Sequence, residues 1–378
     1  MHSCRFPLLL ATILALILVV YPAAPGWGQV DRSEFDRAMA EWKKTYIELL
    51  EAYTEFITCE EWEADEIRER FLALKQRGDD QQRQAIEQAA RVYQNSDQNI
   101  EELNRLLRGL PLKLFERYQY DTAARVGKAL LRHDPNNRAV LFDAIKSSFF
   151  SNQFDLTEQL LDVWREQFGT IPAQLEPIES VLADYQQAWK AEQQKQQNRD
   201  AAEPLPQVRF STPRGDFVVE LFEDEYPVIV NNLINLIEER QLYQGFRFFE
   251  VLEHQVARSG CPRNDGQTML PVASVDPETL KSGSRHFRGT FSLLVNPGNG
   301  AASTQFVVSR IPMPELDGRN LVVGRVVEGQ DVVDRLAATT ELDENLMPQL
   351  IEDAEPDPIE TIQVLQKRDR EYNFIEGQ

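Results

Sequence analysis

The hydrophobic pattern of the chain changes period once. Over residues 30–190 apolar positions recur at helical intervals, and Trp42, Tyr46, Leu49, Leu50, Tyr53 and Phe56 form one stripe. That spacing buries one face of a helix, and such a stripe is read as core rather than ligand site. The region is poor in β-branched runs and rich in Glu, Gln, Ala, Leu and Arg, which predicts a helical domain. Beyond residue 207 the period falls to two. Val208 and Phe210, then Phe217, Val219 and Leu221, alternate on either side of Pro213, Arg214, Gly215 and Asp216, predicting an antiparallel hairpin. Pro227 then opens a helical run carrying Val230, Leu233, Ile234 and Ile237. Between the two regimes, residues 188–206 are Gln- and charge-rich and end with Pro204 and Pro206. They are expected to form a helix tail and a linker over 191–206.

Inside the helical region Tyr120-Asp121 recurs as Phe154-Asp155 thirty-four residues later, and Leu130 maps onto Trp164. Thirty-four is the tetratricopeptide period, and the segments 139–150 and 156–168 read as a helix pair after the 134–137 turn. About one and a half units are visible, fewer than the three or more that bury a continuous core. Two readings stay open: a degenerate repeat domain with irregular flanking helices, or an ordinary helical bundle.

The second region resembles a known family in several places. Residues 317–336, DGRNLVVGRVVEGQDVVDRL, are similar to the closing segment of cyclophilins. HFRGTFSL at 286–293 and STQFVV at 303–308 resemble paired strands of that family, and residues 359–365 supply a last strand. The resemblance spans about 207–367 and implies a closed antiparallel β-barrel of eight strands capped by two helices. With the helical part, the expected fold is multidomain α and β, with a tail over 368–378.

The same resemblance implies peptidyl-prolyl cis-trans isomerase activity, which needs no cofactor. The X-Pro bond turns against a barrier of about 18–20 kcal/mol because the amide is conjugated. In the twisted state nitrogen regains its lone pair, so a cation aimed at it stabilises the transition state over the ground state. In FFEVLEHQVARSG, Phe248 and Val251 match the family, but Glu250 stands where the family carries its catalytic Arg. Gln255 and Val256 replace the pocket Phe and Met, Arg258 replaces a Gln, and Gly260 keeps the frame. Gln305 matches the family's backbone-anchoring Gln, Val307 replaces a Phe of the proline pocket, and Leu316 fits. Glu315 and Asn320 stand at the Trp and His positions. The candidate peptide-binding set is therefore Phe248, Gln255, Val256, Gln305, Val307, Leu316 and Asn320. A carboxylate repels a returning lone pair, so Glu250 does not substitute for the Arg. The family positions of Glu250 and Arg258 are neighbours on adjacent strands, which makes Arg258 the candidate displaced cation, held by Glu250. The plainer alternative is two solvated charges on the rim of an eroded groove.

Charge and cysteine content narrow the remaining classes. The net charge is −21, which argues against nucleic-acid binding and electrostatic membrane attachment. Arg5 followed by the apolar run 6–20 and small residues to Gly28 reads as a signal peptide over 1–28, short of the roughly twenty residues of a spanning helix. An exported protein, periplasmic or secreted, is expected, with no membrane span after cleavage. Cys59 and Cys261 would then remain, two buried thiols rather than a disulfide framework. The four His residues form no ligand-spaced cluster, so no metal site is expected. The expected partner is a proline-containing polypeptide, and the helical part is a candidate surface for a protein partner. A weak isomerase and a non-catalytic peptide-binding or assembly module are the competing functions.

Overall fold

The computed structural model describes residues 31–58, 64–198, 203–282, 285–343 and 347–376. The expected signal peptide and Cys59 lie outside them. The chain forms two compact units: residues 1–148 with 156–172, and residues 149–155 with 173–378.

The first unit is helical. Helices α1 (Ser33–Thr58) and α2 (Ala64–Asn95) are followed by α3 (Glu101–Leu107), α4 (Leu110–Glu116), α5 (Tyr120–Leu131), α6 (Arg138–Phe150) and α7 (Phe154–Phe168). Of the α1 stripe Trp42 and Tyr46 are buried and Leu50 is exposed, while Phe35, Ala38 and Ala52 are buried beside it. Helix α5 carries small residues on its packed face. Ala123, Ala124, Val126 and Ala129 are fully buried, and a Cβ on Gly127 would meet the Ala144 Cβ at 2.7 Å. Tyr120 and Phe154, the thirty-four-residue pair, open α5 and α7 and are both buried.

The second unit contains α8 (Glu176–Gln197), so the helical run continues past residue 190 and helix occupies the start of the expected linker. Its buried face includes Tyr185 and Glu192. Leu205, also expected in the linker, is buried against Phe222 and Val322.

The strands are β1 (Gln207–Thr212), β2 (Gly215–Leu221), β3 (Glu250–Leu252), β4 (Val256–Ser259), β5 (Pro271–Ser274) and β6 (Thr290–Val295). They continue with β7 (Ala301–Ser309), β8 (Asn320–Glu328), β9 (Thr340–Leu342), β10 (Pro348–Leu350) and β11 (Thr361–Gln366). Helices α9 (Pro227–Glu238), α10 (Pro277–Ser282) and α11 (Gln330–Asp334) interrupt them. The ladder runs β10-β9-β3-β4-β7-β6-β8-β2-β1-β11, with β5 on β7. Among the described residues the closed eight-stranded barrel is therefore corrected to an open sheet of eleven strands. The short β9 and β10 take the outer edge of β3, and the stretch before β3 joins the stretch before β11 through an isolated Arg247–Pro358 bridge and backbone bonds such as Ile359 N to Phe246 O at 2.7 Å.

Alternation builds the core. Val208 and Phe210 of β1 face inward with Phe217, Val219 and Leu221 of β2, all nearly inaccessible. Phe306 packs against Phe291 at 4.8 Å between ring centroids, Phe210 at 5.5 Å and Tyr243 at 5.6 Å. This nest rigidifies the strands that carry the candidate site on their opposite face.

Candidate functional site

Three strands bring the substituted positions together. Glu250 on β3 pairs in register with Arg258 on β4, and Arg258 pairs with Val307 on β7. Cross-strand partners share a face. Because Val251, Ala257 and Phe306 are buried in the core, the period of two turns Glu250, Arg258 and Val307 to the other side.

The Arg258 guanidinium is held from three directions. Nη1 donates to Glu250 Oε2 at 3.0 Å, Nη2 donates to Gln305 Oε1 at 2.7 Å, and the group lies 5.3 Å from the Phe249 ring centroid. The side chain is 21% exposed and that of Glu250 is 32% exposed. A partly exposed pair contributes only about 0–1 kcal/mol to stability, so its importance is positional. Two charge-assisted hydrogen bonds and an aromatic face fix the guanidinium plane, which spares a ligand that ordering cost. Arg258 Nε is buried and has no hydrogen-bond partner among the described residues.

Gln305 is fully buried. Its Nε2 donates to Gly266 O at 3.2 Å and Thr268 O at 3.0 Å, while its oxygen accepts from Arg258. Both amide hydrogens thus hold the loop after β4. Gly260 begins that loop at φ +86°, where a Cβ would lie 2.1 Å from Thr304 O. Asp265 ties the loop's other side. It accepts from the Cys261 thiol at 3.0 Å and from the backbone N–H groups of Gln267 and Thr268, each at 2.9 Å. The Cys261 thiol, followed by those N–H groups, holds the Asp265 carboxyl below the usual carboxylate range.

The remaining candidates divide. Val256 shares the Arg258 face two residues earlier and is 8% exposed, and Val307 is 4% exposed between Arg258 and Ser292. Gln255 occupies the β3–β4 turn, where its carbonyl accepts from Arg310 N at 2.8 Å. Leu316 lies in the 3-10 turn Pro314–Leu316, and Asn320 begins β8 opposite Leu294. No hydrogen bond or ion pair links Leu316 or Asn320 to the Arg258 cluster among the described residues. Phe248, expected on the peptide-binding face, is inaccessible and packs against Phe217 and Phe306. Sequence reasoning missed its neighbour Phe249, because strict alternation back from Glu250 puts Phe248 on the Arg258 side, whereas a turn in which Phe249 N donates to Arg247 O exchanges the two. No group of acidic, His or Cys side chains suited to a metal occurs among the described residues.

Residues 207–361 match the family described as "Cyclophilin type peptidyl-prolyl cis-trans isomerase/CLD". A Helicobacter pylori peptidyl-prolyl cis-trans isomerase is 32% identical over 129 residues, covering 34% of this chain and 77% of that protein. Peptidyl-prolyl cis-trans isomerase CYP18-2 of Arabidopsis thaliana is 25% identical over 134 residues, covering 35% and 81%. A crystal structure of a Cryptosporidium parvum cyclophilin type peptidyl-prolyl cis-trans isomerase aligns at 20% identity and TM-score 0.33, covering 43% of this chain and 99% of that one. With 77% of the Helicobacter pylori relative covered at 32% identity, the chain belongs to the cyclophilin-type peptidyl-prolyl cis-trans isomerase family.

Proposed function

We propose that the protein is an exported, weak peptidyl-prolyl isomerase acting on extracytoplasmic polypeptides, with Arg258 in place of the family cation at position 250. The carrying observation is the Arg258 guanidinium fixed between Glu250 and Gln305, with Nε left without a partner. A prolyl nitrogen reaching that group would meet a preorganised donor, which favours the twisted state. Two features lower the rate. Glu250 offsets part of the guanidinium's charge, and Val307 gives a smaller apolar wall than the Phe that the resemblance implies. A displacement of even about 1 Å costs on the order of a hundredfold in rate.

A second reading, a peptide-binding module without catalysis, is favoured by Gln305. Both its amide hydrogens are spent on Gly266 and Thr268, so they are not free to hold a peptide backbone. Exchange NMR on an Ala-Pro peptide separates the readings. We expect acceleration, but below that of an ordinary cyclophilin at equal concentration. Equal rates would overturn the weakness, and no acceleration would leave the binding reading.

The export reading rests on the apolar run 6–20 after Arg5, and a mature amino terminus near residue 28 or 24 is the result it requires. For the helical part over 30–190 we propose a repeat-like domain that holds a protein partner, supported by the matching starts of α5 and α7.

A further inference from the structure

The second unit also contains a cleft of about 320 Å³ between α8 and the β6–β8 face, lined by residues outside the Arg258 cluster. Its walls are aromatic: Trp189 and Phe287 pack edge to face at 4.8 Å, and Phe222 closes another side. Three of the lining side chains are guanidinium groups and only one is a carboxylate, Glu192, in a chain whose net charge is −21.

The three arginines are not equivalent. Arg325 is neutralised by Glu220 at 2.8 Å and Glu192 at 3.5 Å. Arg288 is engaged with Asp334, one of its contacts lying at 3.1 Å. Among the described residues Arg285 has one ion-pair neighbour, Asp317 at 3.9 Å, and is 35% exposed. Asp317 is already committed: Oδ1 accepts from the His286 backbone N–H at 2.9 Å and lies 2.8 Å from its Nδ1, while Oδ2 accepts from the Tyr185 hydroxyl at 2.9 Å. Arg285 therefore retains donors for an anion. The Trp189 indole N–H also has no protein acceptor among the described residues.

We propose that this cleft binds an aromatic monocarboxylate, its ring packed against Trp189 and its carboxylate on Arg285. The volume lies at the low end for ligand pockets, room for about one ring and its acid group. Such a group is offered either by a free aromatic acid or by a polypeptide that ends in an aromatic residue. The site stands independently of the isomerase reading, since it shares no residue with the Arg258 cluster.

Calorimetric titration of the full chain with N-acetyl-phenylalanine, and with a short peptide ending in Phe as free acid and as amide, tests it. Both acids should bind, and the amide should bind about tenfold more weakly, the loss of one charge-assisted contact. Arg285→Gln should weaken the acids to a similar degree. Val327→Glu should do so too, by placing a like charge at a position on the cleft that is 40% exposed. Both positions are exposed enough for the variants to fold, and an unchanged circular dichroism spectrum checks this. Tighter binding of the peptide acid than of the small acid would support a polypeptide terminus as the source, and equal binding a free acid. No binding at millimolar ligand, equal affinity for the amide, or unaltered affinity in folded Arg285→Gln would overturn the proposal.

Discussion

Arg258 Nη2 donates to the Gln305 side-chain oxygen at 2.7 Å across the β4–β7 boundary. This bond joins the two features that decide the function. It aims a guanidinium, and it consumes the acceptor of the amide that also holds the Gly266–Thr268 loop.

Glu250 shares that guanidinium, so Glu250→Gln should remove the opposing charge while keeping an acceptor. Catalysis is expected to rise several-fold, as one charge-assisted contact is exchanged for a neutral one. Stability should change by no more than about 1 kcal/mol, because the pair is partly exposed. Exchange NMR and urea unfolding of the same preparation read both quantities. A fall in activity would show that Glu250 orients the cation more than it weakens it.

Gly260→Ala should be far more damaging than its size suggests. The residue sits at φ +86° and the added carbon would lie 2.1 Å from Thr304 O, so backbone strain and overpacking combine at a cost of about 3 kcal/mol. Urea unfolding followed in the sheet unit measures it, and a loss below about 1 kcal/mol would contradict the assignment.

Residues 368–376 are fastened by the Asn ladder of α9. Asn232 Nδ2 donates to Val272 O and Ile375 O, both at 2.8 Å, and its Oδ1 accepts from Ile375 N at 2.8 Å. Asn235 Nδ2 donates to Tyr372 O at 2.8 Å, and Tyr372 packs into the core. Asn232→Leu leaves those backbone groups unsatisfied and should cost about 2–4 kcal/mol. Amide exchange at Ile375 should accelerate in the variant, and unchanged protection would refute the clasp.

Much of this architecture was legible in the sequence because alternation and helical spacing are local signals. Val208, Phe210, Phe217, Val219 and Leu221 announced the first hairpin, and Pro227 announced α9. The strand pairing of Glu250 with Arg258 followed from the family resemblance, since register between separate segments is not written in either one. Less was legible where tertiary packing decides. The helical run past residue 190 is stabilised by Tyr185 and Glu192 facing partners far along the chain. The tail's role depends on Asn side chains that look like ordinary polar helix residues. Phe248 and Phe249 are identical in type, and the irregular turn before β3, not a strand period, separates core from site.

The loop after β4 should show a defined acid response. The Asp265 carboxyl is held below its usual value by the Cys261 thiol and by backbone N–H groups, so the folded loop favours the charged form. That contribution is fully present above the unfolded aspartate value and is lost as pH falls through the lower folded value. Carboxyl NMR should place Asp265 below a model aspartate, and Asp265→Asn should remove this part of the acid dependence. An ordinary or raised Asp265 titration would contradict the hydrogen bonding described.

The central claim is that Arg258 supplies the cation for whatever isomerisation the protein performs. Its most direct test is the exchange rate of an Ala-Pro peptide with the unaltered protein and with Arg258→Ala, both checked for folding. Arg258→Ala is predicted to reduce the rate to that of the uncatalysed peptide, because no other guanidinium or ammonium is bonded to Glu250 or Gln305 among the described residues. A folded Arg258→Ala protein that keeps the full rate of the unaltered protein would contradict the account.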